Sequence, residues 1–289
     1  MQIQFLSSKN YTLPKGAKTG DCILIDTGTE LVIYDCGSEE HAKAVLDYMD
    51  QHGYQQAKFI LSHNDADHFN GLPKLLEEDR ISAIYTFLLL KYKKELLKRI
   101  GDGRKTARSI AEQILDNYDN IATLTGERLL DPEKDSKIVC PGVTIVGPNI
   151  DYMLDAVTKL LKNCESDTID NETIINATSI QVSVTIGHNS LLLTGDASFP
   201  ALEDKIQKYD AIQLPHHGKP EQAEKIFQEK MKQVSTIYVI SDNTGNSKGG
   251  SDGLDTSGHR VYSTKDGNVT INSATFSTWN YSTYRCLGG

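Results

Sequence analysis

Between Ser62 and Gly71 the chain reads Ser-His-Asn-Asp-Ala-Asp-His-Phe-Asn-Gly, and it arrives there directly from the apolar run Phe59-Ile60-Leu61. His63, Asp65, Asp67 and His68 therefore stand at i, i+2, i+4 and i+5 just past a buried strand. Four metal-ligating side chains this close can divide between two divalent ions, which act as Lewis acids and lower the pKa of bound water. A purely structural alternative has Asp65 and Asp67 as turn formers and His68 as the cap of a helix starting near Leu72-Pro73. Two further clusters, Thr194-Gly195-Asp196 and Pro215-His216-His217-Gly218, each follow an apolar strand. Three His and Asp clusters at three strand ends favour metal binding.

Strand and helix signals alternate along the whole chain, with no Pro-rich or low-complexity boundary, so a single α/β domain over residues 1–289 is expected. Cys22 to Ile25 and Leu31 to Tyr34 flank Asp26-Thr27-Gly28-Thr29 and read as a hairpin. Residues 39–52 carry helical periodicity between Ser38 as N-cap and Gly53 as stop. A helical insertion is expected at about 91–121 and an amphipathic helix at 151–163. Ile180, Val182, Val184 and Ile186 alternate strictly before Gly187-His188-Asn189 and Leu191 to Leu193, a second hairpin. Strands are expected at Gly142 to Val146, Ala211 to Leu214 and Thr236 to Ile240, and Arg260 to Thr264 should pair with Val269 to Asn272. The stretch at about 241–258, rich in Gly, Ser, Asp and Asn, is expected to be a flexible loop.

Lys and Arg number 30 against 39 Asp and Glu, a net charge of −9, so no whole-surface attraction to nucleic acid or anionic lipid is expected. The run Phe87 to Leu90 is too short to cross a bilayer, and Met1 to Phe5 alternates like a strand, so a cytoplasmic location away from membranes is expected. Five scattered cysteines without a C-x-x-C pair read as reduced core thiols. Residues 91–108 carry a local charge of +6 while the remainder carries −15. Lys93, Lys94, Lys98 and Arg99 on that segment are candidate phosphate-binding residues, with a plain solvated helix face as the alternative. His41 and His52 lie on an amphipathic helix and read as surface residues.

His63-x-Asp65-x-Asp67-His68 with Thr194-Gly195-Asp196 and Pro215-His216-His217-Gly218 resembles the metallo-β-lactamase superfamily, and within it the hydrolase domain of ComEC-type DNA-uptake proteins. Gly20 to Ile25, Val32 to Gly37 and Arg260 to Gly267 are similar to that subgroup as well. The resemblance implies an αββα sandwich, two mixed β-sheets flanked by helices, with a site for one or two divalent metal ions, Zn²⁺ or Mn²⁺, at one edge. By the same resemblance His63 and Asp65 bind a first metal, Asp67 and His68 a second, Asp196 bridges, and His216 or His217 completes the site. Asp65 stands where the commoner motif has His, and its carboxylate suits harder ions such as Mn²⁺. His188, the one histidine between His68 and Asp196, sits in a hairpin turn roughly 20 Å of strand from Asp196, so Asn176, Thr178 or Ser179 is the expected substitute ligand. A weakly held first metal follows.

The implied chemistry is hydrolysis by a metal-bound hydroxide, oriented by Asp67, with His217 and His259 as further catalytic candidates. A phosphodiester substrate, nucleic acid or nucleotide, is the first expectation. The alternatives are a metallohydrolase of a small ester, lactone or amide, and a non-catalytic metal-binding or regulatory module. Oligomeric state is not legible in the sequence.

Overall fold

The computed structural model describes residues 1–11, 20–124, 126, 128–163, 167–241 and 250–277. Two seven-stranded sheets face one another. The first takes β1 (Gln2–Phe5), β2 (Cys22–Asp26), β3 (Leu31–Cys36), β4 (Ala57–Ile60), β5 (Ile81–Tyr85) and β6 (Leu129–Leu130) in sequential order. The second takes β7 (Ile138–Cys140), β8 (Val143–Gly147), β9 (Gln181–Ile186), β10 (Asn189–Leu193), β11 (Ala211–Gln213), β12 (Ile237–Ile240) and β13 (Arg260–Ser263), again in sequence. The last strand, β14 (Val269–Asn272), returns to the first sheet beside β1. Each sheet is mixed: β3 to β6 run parallel, as do β10 to β13, while the remaining neighbours are antiparallel.

The four layers follow from strands whose two faces are both apolar. In β2 and β3, Ile23, Ile25, Val32 and Tyr34 point into the core between the sheets. Their alternates Cys22, Leu24, Leu31 and Ile33 pack outward on Val45 and Met49 of α1 (Glu39–His52) and on Leu72 and Leu75 of a later helix. On the other side Leu192, Ile212 and Tyr238 form a third core with Ala223, Ile226 and Phe227. Ser38 caps α1 by accepting from His41 N, and Gly53 closes it at φ 75°. Both ends match the sequence expectation.

Two expectations are corrected. Arg260 to Thr264 and Val269 to Asn272 form no hairpin, because β13 pairs in parallel with β12 whereas β14 pairs antiparallel with β1. The turn between them carries the chain from one sheet to the other and is tied to residue 7, where Ser7 Oγ donates to Thr264 O at 2.6 Å and Ser7 N to Asn268 Oδ1 at 2.8 Å. His41 is fully buried, its ring edge-on to Tyr11 at 5.1 Å and its Nδ1 3.2 Å from Ser38 Oγ. His52 is exposed as expected.

The helices next to the site are α2 (Ala66–Phe69) and α3 (Leu72–Glu77) after β4, then α4 (Lys93–Ile100), α5 (Ala107–Asn117) and α6 (Asp119–Thr123) after β5. The expected 91–121 helix is thus broken in two places, at Gly101 in the left-handed region and at Tyr118, and Thr106 restarts it with a capping box to Ser109. In the second half α7 (Ile150–Asn163), α8 (Ile174–Ala177) and α9 (Pro220–Glu229) follow. Residues 242–249 of the expected 241–258 loop lie outside the described residues, and at its far end Leu254 packs on the third core. Cys22, Cys36 and Cys140 are buried and unbridged, whereas Cys164 and Cys286 lie outside the described residues.

Candidate metal centre

All three His and Asp clusters stand past the C-terminal ends of β4, β10 and β11, so the two sheets deliver them to one edge. Asp65 begins α2 without any side-chain cap bond, and α3 starts behind Gly71, also without one. The turn-and-cap alternative therefore accounts for neither Asp65 nor His68. Close backbone approach is built in at Gly20, φ +66°, where a Cβ would lie 1.6 Å from Asp67 O. That contact lets Asp21 N donate to Asp67 O at 3.0 Å. His216 and His217 both adopt left-handed backbone, φ 49° and 57°, followed by Gly218 at φ 79°. Such a run costs roughly 1–2 kcal/mol per non-glycine residue and turns both neighbouring imidazoles onto Asp196.

Each imidazole of the cluster is held from behind by its Nδ1. His68 Nδ1 donates to Asp35 Oδ2 at 2.8 Å, His217 Nδ1 to Asp21 Oδ1 at 3.1 Å, and His216 Nδ1 to Glu172 Oε2 at 2.6 Å. His63 Nδ1 lies 2.9 Å from Ser62 Oγ and 3.2 Å from Ser179 Oγ. Asp21, Asp35 and Glu172 are each at most 1 % exposed. They are themselves fixed: Asp35 Oδ1 accepts from Ser62 N and Asp21 Oδ2 from Gln213 Nε2 and Ser241 Oγ, while Glu172 Oε1 forms an ion pair with Lys219 Nζ at 2.8 Å. A carboxylate on Nδ1 fixes ring orientation and leaves Nε2 as the atom presented to the centre.

Asp196 is the hub. Its Oδ1 is 3.3 Å from His68 Nε2, and its Oδ2 is 3.8 Å from His63 Nε2, 3.7 Å from His216 Nε2 and 3.9 Å from His217 Nε2. At the mouth Asp65 Oδ2 lies 3.8 Å from His63 Nε2 and Asp67 Oδ2 3.8 Å from His217 Nε2. The Nε2 atoms of His63, His68 and His217 and Oδ1 of Asp196 are buried without a hydrogen-bond partner among the described residues. Separations of this size suit donors around a shared cation, since bonds of about 2.1 Å in a tetrahedron put ligand atoms roughly 3.4 Å apart. Two donor sets, His63–His68–Asp196 and Asp67–His68–His217, each have their atoms within 4.8 Å of one another. The residues present fit divalent cations.

In the cluster, burial is set against the charges of neighbouring residues. Burial favours the neutral ring of His68, but Asp196 and Asp35 outweigh it and lift its pKa well above 6.5. For His217, burial is outweighed by Asp196 and Asp21, with the same result. Burial also opposes the charge on Asp196, yet His68, His217 and His216 hold it well below the usual carboxylate range. Asp67 is likewise lowered against burial by the neighbouring rings of His217 and His68. His63 goes the other way, lowered by burial and by the charge of His68.

With the αββα layering and the edge cluster in place, comparison with known proteins is direct. The sequence profile of the metallo-beta-lactamase superfamily matches residues 16–145. The chain has the metallo-β-lactamase fold. The metallo-beta-lactamase fold protein YhfI from Bacillus subtilis superposes with a TM-score of 0.54 at 13% identity, covering 94% of this chain and 100% of that one. Tm1679, described as a metal-dependent hydrolase of the beta-lactamase superfamily, gives 0.50 at 13% identity, covering 94% and 98%. No curated protein sequence matches.

On this metallo-β-lactamase fold the structure brings together His63, Asp65, Asp67, His68, Asp196, His216 and His217, and it does not bring in His259. That residue precedes β13, level with the start of β12, whereas His216 follows the far end of β11. Its ring stacks on Phe227 at 3.9 Å. His188 is exposed in its hairpin turn. Asn176 does reach the hub, but as a donor: Nδ2 is 3.4 Å from Asp196 Oδ2 while its Oδ1 accepts from Thr173 Oγ1. Ser179 Oγ backs His63 and accepts from Asp196 N, and Thr178 Oγ1 donates to Ile174 O. Of the basic segment, Arg99 is bound to Asp151 and Asp155, Lys91 to Asp135, Arg104 to Asp102 and Arg108 to Glu112. Lys93, Lys94 and Lys98 are exposed. No helix among the described residues is long and apolar enough to cross a membrane.

Sequence reasoning missed Asp21, Asp35 and Glu172 as site residues. Asp21 adjoins the apolar strand β2 and Asp35 lies within β3, placements where a carboxylate needs a buried partner. Glu172 sits in the short hairpin Thr168–Thr173 and carries no such signal.

Proposed function

We propose that this chain is a metal-dependent hydrolase with a two-cation site. The observation that carries the proposal is the set of four imidazoles anchored through Nδ1 and turned with Nε2 toward Asp196. A structural core has no use for buried, unpartnered ring nitrogens around a carboxylate. His63, Asp65 and His216 would hold one cation and Asp67, His68 and His217 the other, with Asp196 between them. His216 then takes the place expected for Asn176, Thr178 or Ser179, its Nε2 bordering Asp196 Oδ2 as those of His63 and His217 do. Cations so held supply Lewis acidity, acidify water, and neutralise charge that develops on a substrate oxygen. Asp67, partly exposed at the mouth, is placed to take a proton from an attacking water. The mixed nitrogen and oxygen donors accept Zn²⁺ or Mn²⁺.

Phosphodiesters are the first substrate class, because His63, Asp65, His216, Asp67, His68, His217 and Asp196 would hold paired cations, which would supply the charge neutralisation a phosphoryl displacement needs. The likeness to ComEC-type hydrolase domains is supported by its flanking segments, which supply Asp21 behind His217 and Asp35 behind His68. A second reading, a small ester, lactone or amide, is favoured by the basic segment itself: Arg99, Lys91, Arg104 and Arg108 are paired with acids of the same chain, so part of its positive charge is already neutralised. Buried, unbridged Cys22, Cys36 and Cys140 fit a reducing compartment such as the cytoplasm. The test is hydrolysis of bis(p-nitrophenyl) phosphate by metal-stripped protein with Mn²⁺ or Zn²⁺ restored, beside Asp67→Asn. Metal-dependent turnover lost in the variant is expected. No turnover with either ion would favour acyl substrates or a non-catalytic module.

A further inference from the structure

The helices after β5 do more than carry charge. Asn64, between His63 and Asp65, is bound on both sides by this segment: its Oδ1 accepts from Ile121 N at 3.1 Å, its carbonyl accepts from Asn120 Nδ2 at 2.7 Å, and its Nδ2 donates to Asn117 O at 3.3 Å. The helical segment and the loop of candidate ligands therefore form one unit.

Within that unit opens an apolar pocket of about 150 Å³, lined by the turn of Leu88 to Leu90 and by α5 and α6. A smaller space of about 20 Å³ lies beside Ser62 and His63. Phe87, Leu89, Tyr118 and Ile121 line both. The larger volume equals that of an apolar protein cavity able to hold benzene, and the smaller has room for about one water or methylene. At the rim Leu90 and Leu115 are 40 % and 43 % exposed, among the few large apolar side chains open to solvent among the described residues. Ligand sites are mostly apolar with a few polar groups converging at one end. Here the polar groups are Tyr118, shared by both spaces, and His63 and Thr178, which line the smaller one.

We infer that this cavity is an apolar substrate subsite, which takes an aliphatic or aromatic group of about six carbon atoms. It rests on the hydrolase proposal for its link to reaction but not for its existence. The substrate is then a small diester or ester bearing such a group. A nucleobase would leave its hydrogen-bonding ring edge unpaired among these apolar side chains.

Two arms separate the subsite from the reaction. Metal-stripped protein is titrated with benzene and followed by methyl NMR. Saturable shifts at Leu89, Ile114 and Leu124 are expected, lost in Leu115→Trp and Ala122→Trp, which fill the mouth from exposed positions. Absence of a saturable shift overturns the subsite, whatever the protein hydrolyses. Reloaded protein is then given p-nitrophenyl n-alkyl phosphates from methyl to decyl. Each methylene up to about six should raise kcat/KM about three- to fourfold, the equivalent of about 0.8 kcal/mol, and further ones little. A flat series on active enzyme overturns the substrate role. Benzene shifts without turnover at any length sustain the subsite and count against the phosphodiester reading, and the same series as p-nitrophenyl alkanoates then decides the ester class. A dimer that Leu115→Asp dissociates would give the rim to a second copy and overturn the proposal.

Discussion

Asp35 Oδ2 sits 2.8 Å from His68 Nδ1, both side chains fully buried, and Asp35 Oδ1 accepts from the backbone N–H of Ser62. One carboxylate thus sets the ring of a candidate ligand, His68, and the start of the loop that carries three others, His63, Asp65 and Asp67.

Asp35→Asn keeps the shape but exchanges the anionic acceptor for an amide. Loss of such a backing carboxylate typically weakens metal affinity by about 10–100-fold. That loss is expected here, with the far-UV spectrum unchanged, in competition against a chromophoric chelator. Unaltered affinity would separate Asp35 from the centre.

His216→Ala should remove one cation and leave the other, because His217, Asp67 and His68 remain. Metal analysis after dialysis should give about one equivalent against about two for the parent chain. Two retained equivalents in the variant would return the first site to Asn176 or its neighbours.

The pH dependence of the metal-free protein follows from the signs of the shifts. His68 and His217 have raised folded pKa values, so their stabilisation is complete below about 6.5 and is lost as pH rises through those values. Asp196, Asp67 and Asp21 have lowered ones, so theirs is present above about 3.8 and is lost as pH falls. Stripped protein should therefore melt highest between these limits and progressively lower above neutrality. Added Zn²⁺ or Mn²⁺ should reverse the alkaline loss, since it replaces protons at the same nitrogens. A Tm of stripped protein that climbs from pH 6.5 to 8.5 would contradict the shared-proton picture.

Gly20→Ala should be among the more damaging small substitutions. Its Cβ would meet Asp67 O at 1.6 Å, and the backbone there is left-handed. Overpacking and strain together predict a loss of at least about 2 kcal/mol in urea denaturation, with metal affinity falling in parallel. A variant within experimental error of the parent would show that the Gly20 to Asp67 contact is dispensable.

Much of this arrangement was legible in the sequence where the causes are local. The hairpin through Asp26 to Thr29, the cap at Ser38 and the stop at Gly53 are decided by neighbouring residues, and the ligand motif is nearly contiguous on one strand end. The backing carboxylates were not legible, because Asp35, Glu172 and Asp21 meet their histidines across 33, 44 and 196 residues of chain. Arg260 to Asn272 misled for a related reason. Lys265-Asp266-Gly267-Asn268 is turn chemistry in either case, and only the pairing of β14 with β1, contributed by the other end of the chain, makes it a crossing between sheets. The basic run of residues 91–108 looked like a phosphate grip because its acidic partners Asp135, Asp151 and Asp155 lie outside the run.

Lys93, Lys94 and Lys98 provide the matching functional check. Their triple replacement by Glu should leave turnover of bis(p-nitrophenyl) phosphate within about twofold, a change of roughly 0.4 kcal/mol, while Arg99→Glu should lower the Tm by freeing α4 from Asp151 and Asp155 of α7. A large loss with the small diester would place those lysines at the reaction centre.

The most direct measurement is anomalous diffraction from crystals soaked in Mn²⁺. Two peaks are predicted, on either side of the Asp196 carboxylate, one toward His63, Asp65 and His216 and the other toward Asp67, His68 and His217. Peaks elsewhere, or none at Asp196 in protein shown to be folded, would contradict a two-cation hydrolase site.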